Sequence, residues 1–63
     1  MANANDFIGQ TKKGAQNMAE AKAMIFRLIR IDEEAYFSYP EEKREDRVCV
    51  EIDEGKVTKA SVQ

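Results

Sequence analysis

The sequence predicts an α+β fold, in which an N-terminal helix packs on a three- or four-stranded antiparallel sheet that ends in a C-terminal β-hairpin. Strong helix formers follow Asn17. Val48, Val50 and Ile52 occupy alternate positions, as in a strand with one buried face. The residues at 53–56 are Asp-Glu-Gly-Lys, a turn whose glycine supplies the positive φ that hairpins need. The chain is therefore expected to form one small domain over 1–63.

The chain is short for a domain that must be stable alone. It has 63 residues, and a core of this size supplies at most about 3–5 kcal/mol. It contains one cysteine and no histidine, which excludes an intrachain disulfide and the usual Cys/His zinc sites. We therefore expect a partner, either a second copy of the chain or a target protein, to add stability.

The N-terminal segment is expected to be weakly structured over residues 1–16, and flexible over 1–10. Gly9 and Gly14 both lower helix propensity, by about 1 kcal/mol each relative to alanine. Phe7 and Ile8 are the large apolar residues of this segment and are candidates to anchor it on a core or on a neighbour.

The helix is predicted over residues 11–24. Asn17 followed by Glu20 resembles an N-cap with a capping-box acid three residues later. Residues 11–16 extend the same helix upstream. We expect it to cover the sheet with its apolar residues, which are Met18, Ala21 and Met24, against Val48, Val50 and Ile52.

Residues 24–31 fit two secondary structures. As a strand, Ile25, Arg27, Ile29 and Ile31 share one side, and Met24, Phe26, Leu28 and Arg30 share the other. Three isoleucines and a phenylalanine favour the strand. The alternative is one long helix over 11–31 beside a smaller sheet, an arrangement that favours dimerisation through the helix.

Three further strands are predicted, at 34–39, 47–53 and 56–62. The first is aromatic and ends before Pro40, which together with the charged residues up to Asp46 forms a connection. The last is more polar and carries Lys59, which is typical of an edge strand. The sheet is expected to be an antiparallel meander.

The residues of catalysis and metal binding are scarce. The chain lacks histidine, the commonest general base, and its three glycines do not form a phosphate-binding loop. The acidic runs 32–34 and 41–42 lack the alternating spacing of a calcium loop. We therefore expect neither enzyme activity, cofactor nor metal. Cys49 lies between valines and is interpreted as a small apolar strand residue, or as a sign that a partner covers its face.

Charge and apolar pattern indicate the compartment and the class of partner. Residues 1–30 contain five basic and two acidic residues, whereas 31–63 contain five basic and ten acidic ones. The longest apolar run, at 23–26, is far shorter than the ~20 residues of a membrane span, and the N-terminus does not resemble a signal peptide. A single cysteine suits the reducing cytoplasm.

We interpret the chain as a small cytoplasmic protein–protein interaction module, an adaptor or inhibitor that associates as a homodimer. The predicted partner-binding residues are Ile29, Tyr36, Tyr39, Glu41 and Glu42. The acidic second half would suit a basic target surface. One alternative is a nucleic-acid-binding module that uses the basic residues of the first half, Lys12, Lys13, Lys22, Arg27 and Arg30. Another is a structural subunit of a larger assembly.

Overall fold

The computed structural model describes residues 3–63 and confirms the α+β fold class. A short 3₁₀ turn precedes one helix, and four strands form a single mixed sheet in the order β2-β1-β3-β4. The elements are the 3₁₀ turn Ala4–Phe7, α1 Lys12–Ala21, β1 Ile25–Ile31, β2 Glu34–Ala35, β3 Arg47–Asp53 and β4 Lys56–Val62. Within the described residues, no helix has the length and apolar character needed to cross a membrane.

The two central strands run parallel, so the predicted antiparallel meander is wrong in its middle pairing. β1 pairs parallel with β3, whereas β2 and β4 each pair antiparallel with a neighbour. Residues 25–31 are strand, which resolves the ambiguity between strand and helix against the long helix over 11–31. The parallel pairing arises because the chain leaves β2 at one edge of β1, crosses the sheet and returns on the other side of β1.

The predicted strand over 34–39 ends at Ala35. The N–H groups of Tyr36 and Phe37 both donate to the Ile29 carbonyl, at 2.8 and 3.3 Å, which ends the β1–β2 ladder. The other strands are confirmed as Arg47–Asp53 and Lys56–Val62. Glu54 and Gly55 both have positive φ (52° and 81°), as expected of a tight hairpin turn.

The helix begins where predicted, within one residue, but its cap differs and it ends sooner than predicted. Its N-cap is Thr11, whose side-chain oxygen accepts a hydrogen bond from the Gly14 N–H at 3.0 Å. Asn17 therefore lies inside the helix, and the capping box predicted there is wrong. The helix ends at Ala21 rather than at residue 24, and Ala23 adopts a positive φ of 57°. This left-handed residue turns the chain into β1.

The core lies between α1, the N-terminal 3₁₀ turn and one face of the sheet. The buried residues are Phe7, Ala15, Ala19, Val48, Val50, Ile52 and Val57. The predicted sheet face of Val48, Val50 and Ile52 is thus confirmed, and Met18 and Met24 pack at its margin. Ala21 is exposed, contrary to prediction. The small residues Ala15 and Ala19, which lie four positions apart and so share one face of the helix, face the sheet instead.

The segment before the helix is well integrated, contrary to the expectation for residues 1–16. Phe7 is fully buried and is among the largest core side chains. The Gly9 N–H donates to the Val57 carbonyl and the Val57 N–H donates to the Gln10 carbonyl, both at 2.8 Å. These bonds attach the segment to the edge of β4. The segment 1–10 that was predicted to be flexible also includes residues 1 and 2, and these two lie outside the described residues.

A β-bulge in β1 changes which side chains face the helix. The pairing with β3 passes from Leu28 opposite Val50 to Arg30 opposite Glu51, so Ile29 is an extra residue. Before the bulge, Phe26 and Leu28 share the core face. After it, Ile31 faces the core and Arg30 faces the opposite side. A strand without the bulge would instead place Arg30 on the core face with Phe26 and Leu28.

Candidate interaction surface

The sheet face opposite α1 is crossed by residues 36–46, here called the crossing connection. The Tyr39 hydroxyl donates to the Glu51 carboxylate of β3. The Tyr39 ring also lies 6.0 Å from the Lys59 Nζ of β4. Near the start of the connection, the Phe37 ring centre lies 5.4 Å from the guanidinium carbon of Arg27 on β1. The connection therefore contacts three of the four strands.

Arg47 anchors the far end of the crossing connection. Its Nη2 donates to the Glu42 carbonyl at 2.6 Å, and its Nε donates to the Gln63 carbonyl at 2.9 Å. The residue is 8% exposed, so a buried charge is satisfied by backbone carbonyls. Arg47 thus joins the connection to the chain's last residue.

Cys49 lies on the connection side of β3 and is fully buried. Burial raises the pKa of its thiol above the ordinary value, although Arg47 and Arg27 oppose this effect. The raised pKa lowers the fraction of reactive thiolate. Because the chain itself covers Cys49, its burial requires no partner on this face.

Arg30 organises a charged cluster on the same face. Its Nη1 and Nη2 donate to the two Asp53 carboxylate oxygens at 2.8 and 2.9 Å, and its Nε donates to Glu51 Oε1 at 2.9 Å. Thr58 Oγ1 donates to Asp53 at 2.6 Å. The Arg30 hydrogen bond is the main cause that lowers the pKa of Asp53 to about 2.

Glu51 links this cluster to the crossing connection. Its pKa is lowered, first by the hydrogen bond from Tyr39 and then by that from Arg30. The pKa of Tyr39 is raised, first by burial and then by Glu51. Glu51 Oε2 also lies 3.9 Å from Lys59 Nζ. These groups pair with one another through hydrogen bonds and opposite charges. The cluster of Arg30, Tyr39, Glu51, Asp53 and Lys59 therefore holds the crossing connection on the sheet.

Three large apolar side chains of β1 and the start of the crossing connection are about half exposed. Tyr36 is 50% exposed, Phe37 is 58% exposed and Ile25 is 48% exposed. Arg27, which contacts the Phe37 ring, lies two residues from Ile25 on the same side of β1. We call Ile25, Arg27, Tyr36 and Phe37 the aromatic patch.

The predicted partner-binding residues do not form one surface. Ile29 is 6% exposed and lies under the first residues of the crossing connection, so it does not reach the surface. Tyr39 is partly buried by its bond to Glu51. Glu41 and Glu42 are exposed on the connection, and Tyr36 belongs to the aromatic patch, where its hydroxyl donates to Glu34 at 2.9 Å.

The basic residues of the first half are divided between the two sides of the sheet. Lys12 and Lys13 are exposed in the first turn of α1, and Lys22 is exposed at its C-cap. Arg27 and Arg30 contact groups on the opposite side. Arg30 is also committed to Glu51 and Asp53. The fold therefore does not bring the five residues together.

Sequence reasoning missed the exposure of Phe37 and Ile25. The strand predicted over 34–39 would keep Phe37 within the sheet. The ladder stops at Ala35, and Phe37 instead lies over Arg27 on the surface. Pro40 and the acidic residues after it predict an end at residue 39, so they do not reveal the end of the ladder at Ala35.

Two turns bring acidic residues together at one end of the sheet. The Glu54 N–H donates to the Asp32 carboxylate at 2.9 Å, which joins the β3–β4 turn to the β1–β2 turn. An open depression of about 440 Å³ is lined there by Ile31, Asp32, Glu33 and Glu34. Among residues 3–63, no three potential ligand side chains are grouped closely enough to hold a metal ion.

Comparison with family models, curated proteins and solved structures found no match to this chain.

Proposed function

We propose that this chain is a small protein–protein interaction module that binds its partner through the aromatic patch. The observation that supports the proposal is the half-exposure of Ile25, Tyr36 and Phe37, which are three of the four large apolar side chains exposed within residues 3–63. Aromatic side chains add much contact area for little loss of conformational entropy, and they are enriched among the residues that dominate binding energy. An adaptor or an inhibitor would both use such a patch.

The side chains of the aromatic patch indicate which chemical groups the partner's surface should present. Phe37 and Tyr36 would contact apolar side chains, and Arg27 would pair with a carboxylate, since it makes no ion pair within the described part of the chain. The bond from Tyr36 to Glu34 places the acidic end of the sheet at the rim of the patch. A partner with an apolar centre and charges of both signs at the rim would be complementary. The free thiol of Cys49 suits a reducing compartment such as the cytoplasm.

Nucleic-acid binding is the competing function. It would rely on Lys12, Lys13 and Lys22 alone, because Arg27 and Arg30 lie on the other side of the sheet. Three lysines release few counterions, so any such binding would be weak and would have a shallow salt dependence. The net charge of −2 adds repulsion of phosphate.

The test compares capture by three immobilised proteins: the wild type, Tyr36→Ser/Phe37→Ser, and the control Lys12→Ser/Lys13→Ser. Each is incubated with a lysate of the source organism, and candidate partners are then purified and titrated directly. The proposal expects a partner that binds the wild type and the control but loses about tenfold or more in affinity for the patch variant. If every titrated partner binds all three equally, the patch is not the binding site.

Fluorescence anisotropy with a generic single-stranded oligonucleotide tests the competing function. Binding at low salt that is lost in Lys12→Ser/Lys13→Ser would favour the nucleic-acid module. Absence of binding at low salt would remove that function and leave the protein-binding proposal to the capture experiment.

A further inference from the structure

β1 has an open edge over residues 25–28. On one side it pairs with β3 along its whole length. On the other side β2 pairs only with Arg30 and Ile31, and the chain then bonds to the Ile29 carbonyl before it crosses the sheet. Within residues 3–63, no backbone hydrogen bond outside the β1–β3 ladder reaches Phe26, Arg27 or Leu28.

The alternation of the strand identifies the groups that point outward. The Ile25 N–H donates to the Asp46 carbonyl at 2.7 Å, so Ile25 directs its backbone groups towards β3. Successive residues of a strand direct their backbone groups to opposite sides. Phe26 and Leu28 therefore direct theirs to the open edge, where they can pair with another strand.

The opposite edge of the sheet is protected, whereas this one is not. On β4, the Gly9–Gln10 segment bonds to Val57, and the strand carries Lys56 and Lys59. Covering segments and lysines are common protections of edge strands. The β1 edge is instead flanked by apolar side chains: Ile25 is half exposed, and Phe26 and Leu28 are only partly buried.

We infer that the open edge of β1 pairs antiparallel with the same edge of a second copy of this chain, so that two four-stranded sheets form one continuous sheet. The occupant of such an edge needs an unprotected strand with outward backbone groups and apolar side chains on both faces. Within the described residues, β1 is the strand of this chain that meets that requirement. The inference rests on the proposed function, since Ile25 and Arg27, two residues of the aromatic patch, lie on this edge and would contact the second copy.

Charge selects one register for this pairing. Phe26 opposite Leu28 of the second copy would place the two Arg27 residues directly opposite each other, and like charges in that position are destabilising. Phe26 opposite Phe26 of the second copy instead places Arg27 opposite the second copy's Ile25. In this register the two aromatic rings meet on the helix side of the sheet.

The pairing is short, so the dimer should be weak. About four residues on each side bury less than the roughly 1,200 Å² of a standard interface, which is the range of transient complexes. We therefore expect a monomer at low concentration and a dimer only towards about millimolar concentration, where Kd values of weak complexes fall.

The test is sedimentation velocity over a concentration series from about 10 μM to about 1 mM, with hydrogen exchange of the Phe26 and Leu28 amides measured on the same samples. The inference expects dimer formation, with protection of these two amides that rises with concentration. Ile25→Lys places a lysine opposite Arg27 of the second copy and should weaken dimerisation by about tenfold or more. The control Ala21→Lys adds the same charge on the exposed side of α1 and should leave dimerisation unchanged.

Two outcomes would overturn the inference. One is a monomer at every concentration, with exchange at Phe26 and Leu28 that does not depend on concentration. The other is a dimer that persists in Ile25→Lys while these amides remain unprotected, which would locate self-association elsewhere. Neither outcome removes the proposed function, which is decided by the binding of a different protein to the Tyr36→Ser/Phe37→Ser variant.

Discussion

Arg30 holds the Asp53 carboxylate with two parallel hydrogen bonds, from Nη1 at 2.8 Å and from Nη2 at 2.9 Å. The arrangement joins β1 to the end of β3 across the parallel pair at the centre of the sheet. Such bidentate pairs of arginine and carboxylate combine charge with fixed geometry. They also depend on ionisation of the carboxylate, which makes the contribution of this pair to stability dependent on pH.

Acid should remove the contribution of the Asp53 carboxylate to the stability of the fold. Its pKa is lowered from 3.8 to about 2 in the folded chain. A lowered folded-state pKa gives stability that is present above the unfolded-state value, here above about pH 4, and is lost as the pH falls towards 2. Asp53→Asn should therefore unfold at a lower temperature than the wild type at neutral pH, and the difference should close as the pH approaches 2.

Thermal unfolding followed by circular dichroism over this pH range measures the effect. Glu20→Gln, which neutralises an exposed acid on α1, is the control and should follow the wild type throughout. A difference between Asp53→Asn and the wild type that stays constant from neutral to acid pH would contradict the role given to the charge.

The crossing connection should control access to Cys49. Tyr39→Phe removes the hydrogen bond to Glu51, and a bond to a charged group contributes about 1.5–3 kcal/mol net. Glu51 keeps Arg30 and Lys59 as partners, so we expect the lower end of that range. The connection should then open about tenfold more often, and the Cys49 thiol should react with a thiol reagent about tenfold faster.

The labelling rate of the folded protein under native conditions measures this opening. Tyr36→Phe is the matched control, because among residues 3–63 its hydroxyl bonds only to the exposed Glu34, and it takes no part in the cluster of Tyr39, Glu51 and Arg30. It should label at the wild-type rate. Equal rates for Tyr39→Phe and the wild type would mean that this hydrogen bond does not hold the connection over Cys49.

The helix cap can be located by two alanine substitutions. Thr11→Ala removes the oxygen that accepts from the Gly14 N–H, and it should cost about 1 kcal/mol. Asn17 is exposed inside the helix, where alanine is the better helix former, so Asn17→Ala should stabilise by about 0.5 kcal/mol. Urea unfolding measures both. A loss of stability at Asn17 larger than that at Thr11 would return the cap to its predicted position.

The N-terminal segment should be essential for folding because of Phe7. Phe7→Ala removes a fully buried ring, and such truncations cost about 3–5 kcal/mol. That is comparable to the whole stability expected of so small a core. We therefore expect the variant to be largely unfolded by circular dichroism at room temperature. Ile8→Ala, at a residue that is 46% exposed, should change stability by about 0.5 kcal/mol or less.

The fold class and most strands followed from local patterns in the sequence. Val48, Val50 and Ile52 predicted the buried face of β3 because their spacing matches the period of a strand. The hairpin turn followed from Gly55, which the turn requires at positive φ. In both cases, the residues that predict the strand or the turn lie within that strand or turn.

The pairing of the central strands could not be predicted in the same way. Whether β1 meets β3 parallel or antiparallel depends on the path of the crossing connection, whose contacts are with residues far away in the sequence. The bulge at Ile29 is similar. A strict alternation places Arg30 with Phe26 and Leu28, whereas the extra residue turns Arg30 towards Glu51.

The candidate surface was predicted only in part. Tyr36 was identified from its residue type, and it is exposed. Ile29 was included because both sides of the strand looked apolar, but its burial depends on the crossing connection above it. Arg47 was not identified, since its role comes from two backbone carbonyls that the sequence does not place near it.

The parallel pairing of β1 with β3 also imposes an order of events on folding. The β3–β4 hairpin closes over two residues, whereas the central pair closes only after the chain from 32 to 46 has been ordered, which costs more loop entropy. We expect the hairpin to form in the transition state, and the central pair to form after it. Val57→Ala should then mainly slow refolding, and Phe26→Ala should mainly speed unfolding, in stopped-flow kinetics. The centre of the sheet is thus the last part of this molecule to close, after the rate-limiting barrier has been crossed.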